Sequence, residues 1–151
     1  MTKVNKQSEQ ASPLDLDRQI CHSLYSATNA LVRAYRPLLQ QLDLTYPQYL
    51  VMMSLWQRDQ VSISHLVKHT RLDAGTLTPL LRRLQKKGLI DIQVAESDER
   101  RRIITVTKQG RSLKKSAEKI PGQISCNVDM PPEDALQLKA LCETLVSKLS
   151  K

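Results

Sequence analysis

The stretch from Asp73 to Gly88 constrains the fold of this chain more than any other. Four leucines in it follow the helical spacing i, i+3, i+4 and i+7, so one face of a helix is predicted to meet a core. These are Leu77, Leu80, Leu81 and Leu84. Asp73 is suited to capping the free N–H groups at the start of such a helix, and Gly88 to the left-handed conformation that ends one.

The opposite face of that helix is small and hydroxylated at its start and basic at its end. It carries Gly75, Thr76, Thr78, Pro79, Arg82, Arg83 and Lys86. This order suits a helix whose first half meets the base edges of DNA while its arginines reach bases or phosphates. Pro79 would normally crowd the carbonyl four residues back, but that residue is Gly75, which eases the distortion. An ordinary solvated face is the alternative, and this helix alone does not decide between the two.

The composition favours a polyanionic partner. Twenty-three Lys and Arg against 15 Asp and Glu give a net charge of +8. The length of 151 residues is enough for one domain with a hydrophobic core. Phe is absent and Trp occurs once, which leaves few stacking platforms for single-stranded nucleic acid. The sequence shows no apolar run of membrane-spanning length, and residues 1–12 lack the apolar segment of a signal peptide, so a cytoplasmic location is expected.

The segments around this helix predict a helix-turn-helix followed by a hairpin. Thr45 to Gln48 forms a capping box for a helix to about Gln57, with Leu50, Met53 and Trp56 expected to face inward. A short extended piece, residues 61–63, and a helix over about 64–70 come next. After the basic helix, residues 89–94 and 102–106 read as two strands. Three arginines, Arg100, Arg101 and Arg102, lie at or near the hairpin tip, where they suit a narrow minor groove.

Both ends of the chain are predicted to be helical. A helix from Leu14 to about Leu42, which Pro37 is expected to kink or divide near Arg36, carries two adjacent apolar stripes. Residues 107–119 are predicted to form another helix. Residues 120–131 are predicted to be a connector, and the last helix has a leucine seam that a monomer would not easily cover. The fold class is therefore mainly α (α+β), with a flexible N-terminus (1–13), a helical dimerisation region (14–44 and 107–151) and a winged helix-turn-helix (45–106). A two-fold dimer matches a palindromic site in double-stranded DNA.

This order of elements resembles the MarR family of dimeric winged-helix repressors. The segment 98–107, followed by Gly110, is similar to that family's Asp-x-Arg wing signature. The first third of the chain is more specifically similar to the organic hydroperoxide resistance regulators (OhrR). The resemblance as a whole covers roughly residues 14–150. It is carried by Cys21, Tyr25, residues 33–39, residues 44–50 and residues 72–81.

The resemblance implies that an N-terminal cysteine, assisted by tyrosines, is oxidised by organic hydroperoxides, after which the repressor leaves DNA. In a two-cysteine subgroup, a disulfide then forms with a cysteine near the fifth helix of the other subunit. By position, Cys21 matches the sensing cysteine and Cys126 the resolving one. A third cysteine, Cys142, departs from this pattern and leaves the choice of resolving thiol open.

The spacing of the tyrosines bears on where a thiol site could form. Tyr25 lies one turn from Cys21, and a hydroxyl that donates to the sulfur favours the thiolate. Tyr35 is 14 residues from Cys21, roughly 21 Å along a straight helix, so it cannot reach the thiol of its own chain that way. If Tyr35 and Tyr46 serve Cys21, they should come from a second subunit, which would place the site at the dimer interface.

Each thiol also has a plainer interpretation. Three unevenly spaced cysteines do not make a secreted disulfide framework, and a free cysteine is most often a small buried hydrophobe. The tyrosines favour a reactive Cys21, whereas Cys126 could be tolerated in a connector that moves easily. For Cys142 a buried structural role is the stronger interpretation.

The remaining polar clusters do not suggest catalysis. His65 and His69 have a metal-binding i, i+4 spacing, but the sequence offers no third ligand, so solvent exposure or contact with the DNA backbone is expected. Asp98 is expected to pair with an arginine. The sequence contains no phosphate-cradling loop and no Ser/His/Asp constellation, and we expect no metal and no cofactor.

The sequence therefore predicts a homodimeric DNA-binding repressor, not an enzyme, that senses organic hydroperoxides through Cys21. DNA contacts are expected from α-helical Thr76, Thr78, Pro79, Arg82 and Arg83, and from Arg100 or Arg101 of the hairpin. A regulator of the same fold released by a phenolic or other amphipathic ligand at the dimer interface is one alternative. A thiol peroxidase with an incidental basic surface is a second, which the helix-turn-helix and hairpin argue against.

Overall fold

A computed structural model describes residues 11–150, which form two compact units divided between Arg33 and Ala34. The first unit contains a 3-10 turn, Leu16–Arg18, and most of helix α1, Ile20–Gln40. The side-chain amide of Gln19 donates to two carbonyls before the helix, those of Pro13 (2.8 Å) and Asp15 (3.0 Å). The predicted flexible segment 1–13 lies mostly outside the described residues and stays a prediction.

Helix α1 is shorter than predicted at its start and is not divided by its proline. The 3-10 turn and the extended Gln19 delay the regular helix to Ile20 instead of Leu14. Pro37 lies in the last turn of α1, where the missing N–H removes a single hydrogen bond. The helix therefore continues through Pro37 to Gln40.

The second unit, residues 34–150, holds a three-stranded antiparallel sheet among helices. Its elements are α2 (Tyr46–Gln57), β1 (Val61–Ser62), α3 (Ile63–Thr70), α4 (Ala74–Lys86), β2 (Ile90–Ala95), β3 (Asp98–Val106), α5 (Lys108–Ala117), α6 (Ile120–Val128) and α7 (Pro132–Leu149). The strand order is β1-β3-β2, so the long strand β3 is central. Helix, turn, helix and hairpin follow one another, which confirms the winged helix-turn-helix.

The core of this unit lies between α2, α3, α4 and the sheet. All four leucines of the stripe on α4 are buried, as their spacing predicts. On α2, Met53 and Trp56 are partly buried and pack against the core, as predicted, and Leu50 is half-buried. The buried apolar residues of α2 are Tyr49, Val51, Met52 and Leu55. Since α2 packs against several elements, it buries more than one face, and no single stripe marks its inner side.

The segment predicted to be a connector, residues 120–131, is largely helical. Pro121 and Gly122 suggest a break, but proline is well tolerated in the first turn of a helix, where its missing N–H has no partner to lose. Ile120 and Ile124, one turn apart, anchor α6 by burial. Cys126 therefore lies on a helix and not on a loop.

The turn of the helix-turn-helix is linked to the last helix. Arg71 ends α3 in the left-handed conformation (φ 62°), and its guanidinium makes two hydrogen bonds to the Glu143 carboxylate of α7, at 2.6 and 3.3 Å. This pair raises the pKa of Arg71 and lowers the pKa of Glu143. Both side chains are about half-exposed, so the link orients α7 more than it stabilises the fold.

Over residues 11–150, every helix is too short or too polar to cross a membrane.

Candidate nucleic-acid interface and thiol sites

Helix α4 begins at a well-formed cap. The Asp73 carboxylate accepts from the Thr76 backbone N–H at 2.8 Å through one oxygen and from the Thr76 hydroxyl at 2.9 Å through the other. These hydrogen bonds from Thr76 lower the pKa of Asp73, so the cap is anionic at neutral pH. The cap confirms the predicted start of the helix and fixes the orientation of its first turn.

The face of α4 opposite the leucines is solvent-exposed and carries the five residues predicted to contact DNA. These are Thr76, Thr78, Pro79, Arg82 and Arg83. The Thr78 hydroxyl donates to the Ala74 carbonyl at 3.0 Å, and the Thr76 hydroxyl donates to Asp73. With their protons used within the helix, both hydroxyls present acceptor lone pairs and methyl groups. At a base edge they could accept from adenine N6 or cytosine N4, or contact a thymine methyl.

The wing is a hairpin with an irregularity where its arginines lie. Val94 pairs with Arg102 and the next residue of β2, Ala95, pairs with Asp98, so the three residues 99–101 lie between successive pairs. Such a bulge turns side chains away from the direction that a regular strand would give them. Arg100 and Arg101 are exposed on this bulge, as expected of residues that enter a groove.

Two polar contacts shape the tip of the wing. Asp98 accepts from the backbone N–H of Arg100 at 2.9 Å, so its described partner is main chain and not the arginine side chain that was predicted. Arg102 donates to the Glu99 carbonyl at 2.8 Å. The guanidinium of Arg102 therefore braces the tip, which leaves Arg100 and Arg101 as the better candidates for DNA contact.

The first unit contains an exposed thiol and an exposed tyrosine on one helix. Cys21 is the second residue of α1, and Tyr25 follows it by one turn. Cys21 is thus reachable by a solute, and it is not the buried hydrophobe of the plainer interpretation.

The second unit brings three tyrosines together, which we call the tyrosine cluster: Tyr35, Tyr46 and Tyr49. The ring centroid of Tyr35 lies 5.0 Å from that of Tyr46 and 5.9 Å from that of Tyr49. Burial raises the pKa of all three phenols, and the neighbouring phenols raise the pKa of Tyr35 and Tyr49 further. Their hydroxyls therefore remain protonated donors at neutral pH.

The cluster includes one residue that the sequence reasoning missed. Tyr49 is 2% exposed and belongs to the hydrophobic core, and its ring also contacts those of Tyr35 and Tyr46. Its spacing of three residues from Tyr46 on α2 was the available signal. The structure brings Tyr35 and Tyr46 together within one unit, and Cys21 and Tyr25 within the other; the association of these two pairs stays a prediction.

The other two thiols and the histidines differ in exposure. Cys126 is exposed on α6, whereas Cys142 is half-buried on α7. His69 is exposed but bonded through Nδ1 to the Ser54 hydroxyl at 2.7 Å. His65 is half-buried with its Nε2 enclosed, so the expectation that both histidines face solvent or DNA is wrong for His65.

Within residues 11–150, His, Cys, Asp and Glu side chains form no group of three that could hold a metal ion.

Comparison with known proteins identifies the same architecture. The sequence model of the family described as transcriptional regulator SarA/Rot matches residues 33–117. The organic hydroperoxide resistance transcriptional regulator of Bacillus subtilis is 38% identical over 136 residues, covering 90% of this chain and 92% of that protein. The regulator SarZ of Staphylococcus saprophyticus is 33% identical over 133 residues, covering 88% and 91%.

Solved structures of a staphylococcal regulator show the likeness in three dimensions. AbfR of Staphylococcus epidermidis is 30% identical with a TM-score of 0.71, over 90% of this chain and 95% of that one. Reduced AbfR bound to DNA gives a TM-score of 0.73 at the same identity, over 90% and 96%. The chain is a winged-helix transcriptional regulator of the MarR-like SarA/Rot family, in the branch of the organic hydroperoxide resistance regulators.

Proposed function

We propose that this regulator is a homodimeric repressor that releases its operator when organic hydroperoxides oxidise Cys21. The observation that carries the proposal is the exposed Cys21 in the first turn of α1, with Tyr25 one turn on, in a chain 38% identical to a regulator named for organic hydroperoxide resistance. AbfR, 30% identical, has been described in reduced and overoxidised DNA-bound forms and in a disulfide form. Thiol oxidation thus occurs in a protein of the same fold.

DNA would be read by α4 and the wing. Thr76, Thr78 and Pro79 would meet base edges in the major groove, with Arg82 and Arg83 reaching bases or phosphates. Arg100 and Arg101 would enter the neighbouring minor groove, whose negative potential attracts arginine. Exposure of all these side chains and the net charge of +8 support these roles.

A dimer would set the distance between the two copies of α4. On α7, Leu138, Leu141 and Leu149 are 48%, 61% and 75% exposed, an apolar surface that a second subunit would cover. Two-fold symmetry then calls for a pseudo-palindromic operator in double-stranded DNA, with half-sites about one helical turn, roughly 34 Å, apart. A modest rotation of the subunits would break that match and release the DNA.

The redox chemistry starts at the thiolate of Cys21. Its sulfur attacks the terminal oxygen of the hydroperoxide, the O–O bond breaks, the alkoxide leaves and takes a proton from water to become the alcohol, and a sulfenic acid remains on Cys21. The thiol of Cys126 from the other subunit then attacks that sulfur, water leaves, and a disulfide forms. Exposure of Cys126 and its place near the end of α6 support its role over that of the half-buried Cys142.

The tyrosines would stabilise the reacting sulfur. Tyr25 is placed to donate from the same helix, and Tyr35 and Tyr46 would donate from the partner subunit. The rings of Tyr35 and Tyr46 lie together, with centroids 5.0 Å apart, and a protonated phenol is a hydrogen-bond donor, which supports this role. Each protein molecule would react once per signal, which is the behaviour of a sensor and not of an enzyme. In the cytoplasm thiols are kept reduced, so oxidation of Cys21 there would report the presence of the hydroperoxide.

Non-reducing electrophoresis after exposure to cumene hydroperoxide tests the disulfide. We expect a cross-linked dimer in the wild type and in Cys142→Ser, and no such band in Cys21→Ser or Cys126→Ser. If the band persists in Cys126→Ser but disappears in Cys142→Ser, then Cys142 is the resolving thiol. If it persists in Cys21→Ser, the thiol mechanism fails.

A cavity favours a second candidate function, a regulator released by a phenolic or other amphipathic ligand. It has a volume of about 390 Å³ and lies between α2, α5 and α6. Apolar and aromatic side chains, including Tyr49, Met53 and Trp56, line it together with one basic residue, Lys114, and one acidic residue, Glu118. A regulator controlled through this cavity would respond to its ligand unchanged in Cys21→Ser, whereas the thiol sensor would lose its response to hydroperoxide.

A further inference from the structure

The central strand β3 extends beyond the end of its short neighbour β1. Val61 pairs with Ile104 and Ser62 with Ile103, so the same antiparallel register continued back along the chain would set Asp59 opposite Val106. The strand β1 has only two residues, however, and among residues 11–150 no strand pairs with Val106 on that side. Val106 is 2% exposed, so its backbone N–H and carbonyl cannot rely on water.

Two charged side chains take the place of the missing strand. The Asp59 carboxylate accepts from the Val106 N–H at 2.8 Å, and the Arg111 guanidinium donates to the Val106 carbonyl at 2.8 Å. The two charges lie 3.9 Å apart. The same carboxylate oxygen of Asp59 accepts from the Gln60 N–H at 2.7 Å, which fixes the turn before β1. We call Asp59 and Arg111 the wing clamp.

We propose that the wing clamp positions the wing for DNA, so that Asp59 and Arg111 are positioning residues for DNA binding. Val106 is the last residue of β3, and four residues of that strand, 102–105, separate it from the bulge that carries Arg100 and Arg101. A small change of angle at the base of a hairpin therefore becomes a displacement of several ångströms at its tip, at roughly 3.3 Å per residue. The proposal rests on the proposed contact of the wing with DNA, and its test separates the two.

Replacement of Asp59 should change DNA affinity in the direction opposite to the one that its charge predicts. Removing an acidic residue from a DNA-binding protein should strengthen DNA binding if charge alone matters. Removing the clamp should weaken binding, because the arginines of the wing are no longer held in place. The variants Asp59→Ala and Asp59→Asn lose the same charge, but only asparagine keeps an oxygen that can accept from the Val106 N–H.

The experiment measures DNA binding by the full-length reduced protein, with the salt dependence of the affinity and a hydroxyl-radical footprint. For Asp59→Ala we expect affinity to fall about tenfold, protection to disappear at the flanks where the wing binds, and protection by α4 at the centre to remain. The log–log salt slope should fall by about one for each phosphate that the wing no longer reaches. Asp59→Asn should bind within about threefold of the wild type.

Two further variants complete the design. Arg111→Ala should lose the same flanking protection, whereas Lys115→Ala, which removes an equal charge from an exposed site on the same helix, should keep it. Thermal unfolding of each variant confirms that the folded protein is being compared. Tighter or unchanged binding by Asp59→Ala, or equal losses in Asp59→Ala and Asp59→Asn, would overturn the clamp.

A double replacement, Arg100→Ala with Arg101→Ala, tests the underlying wing contact. If this variant loses the flanking protection and Asp59→Ala does not, the wing binds DNA but the clamp does not position it. If the double variant keeps the full footprint, the proposed contact of the wing with DNA fails, and the clamp proposal fails with it.

Discussion

Replacing Gly110 by alanine should destabilise the protein, although alanine is the better helix former. Gly110 lies in the first turn of α5, where the chain leaves the wing. A Cβ atom there would lie 2.2 Å from the Leu89 carbonyl oxygen and 2.8 Å from a Val106 methyl group. The first contact is with backbone, more than about 1 Å short of an ordinary van der Waals distance, so no side-chain rotation relieves it.

The size of the stability loss can be worked out from the contacts that separate when α5 moves away from Leu89. Alanine gains about 1 kcal/mol of helix propensity over glycine. Moving α5 away from Leu89 strains a tightly packed junction, at a cost of about 1–3 kcal/mol or more. The shift also weakens hydrogen bonds across the junction, from Trp56 Nε1 to the Gly110 carbonyl (2.9 Å) and from the Thr107 N–H to the Leu89 carbonyl (3.1 Å). With about 1 kcal/mol for each hydrogen bond, the net loss should be about 2–4 kcal/mol.

Urea unfolding followed by circular dichroism measures this loss, with all proteins at one concentration because association would add to the apparent stability. Gly122→Ala is the matched control: this glycine also lies in a helix, but a Cβ there would meet no atom of residues 11–150 within 4 Å. It should stabilise the protein by up to about 1 kcal/mol. If Gly110→Ala is as stable as the wild type, or if both replacements shift stability in the same direction, the close approach described here is wrong.

Three other predictions concern the core, the cap and the tyrosine cluster. Leu77→Ala, at a fully buried position of α4, should cost about 2–5 kcal/mol by leaving a cavity, and thermal unfolding should show it; a shift no larger than that of an exposed replacement such as Gln85→Ala would contradict the packing of α4. Because the folded pKa of Asp73 is lowered, its cap stabilises the protein above the unfolded pKa of about 3.9 and is lost as pH falls through the folded value. The stability of Asp73→Ala should thus approach that of the wild type only in acid, and a difference that is the same at every pH would count against the cap. The phenols of the tyrosine cluster, with raised pKa, should stabilise the fold below the unfolded pKa of about 10 and lose that contribution as pH rises through their folded values. Absorbance at 295 nm should show three tyrosines that ionise late, and ionisation of all phenols near pH 10 would be inconsistent with their burial.

The DNA-reading half could be predicted well because its signals are local. The leucine spacing of α4, the capping residues Thr45 and Asp73, and the arginine-rich hairpin each depend on neighbours within about ten residues. The two helix caps, the left-handed Gly88 (φ 74°) and the buried leucine stripe are all confirmed. These features fix the winged helix-turn-helix before any tertiary contact is known.

The errors came where tertiary context decides. Sequence reasoning treated Pro121 and Gly122 as a break, but burial of Ile120 and Ile124 against the core holds that segment in a helix. It also sought one inward stripe on α2 and missed the buried Val51, Met52 and Leu55, because this helix packs on several sides.

The most informative polar contacts join residues far apart in sequence. Asp59 bonds to Val106 across 47 positions, and Arg71 bonds to Glu143 across 72. No periodicity or short motif connects such pairs, since their proximity results from the sheet register and the packing of α7. Tyr49 was missed for a related reason: it becomes part of a cluster only when α1 and α2 bring Tyr35 and Tyr46 to it.

The most direct test of the central claim uses a protein in which Cys21 is the only thiol. In the double variant Cys126→Ser with Cys142→Ser, fluorescence anisotropy of labelled operator DNA is followed before and after one equivalent of cumene hydroperoxide, and mass spectrometry reports the oxidation of Cys21. We predict that DNA is released in step with the formation of the sulfenic acid, and that adding Cys21→Ser abolishes the release. Full oxidation of Cys21 with DNA still bound, or release that persists in Cys21→Ser, would contradict the account.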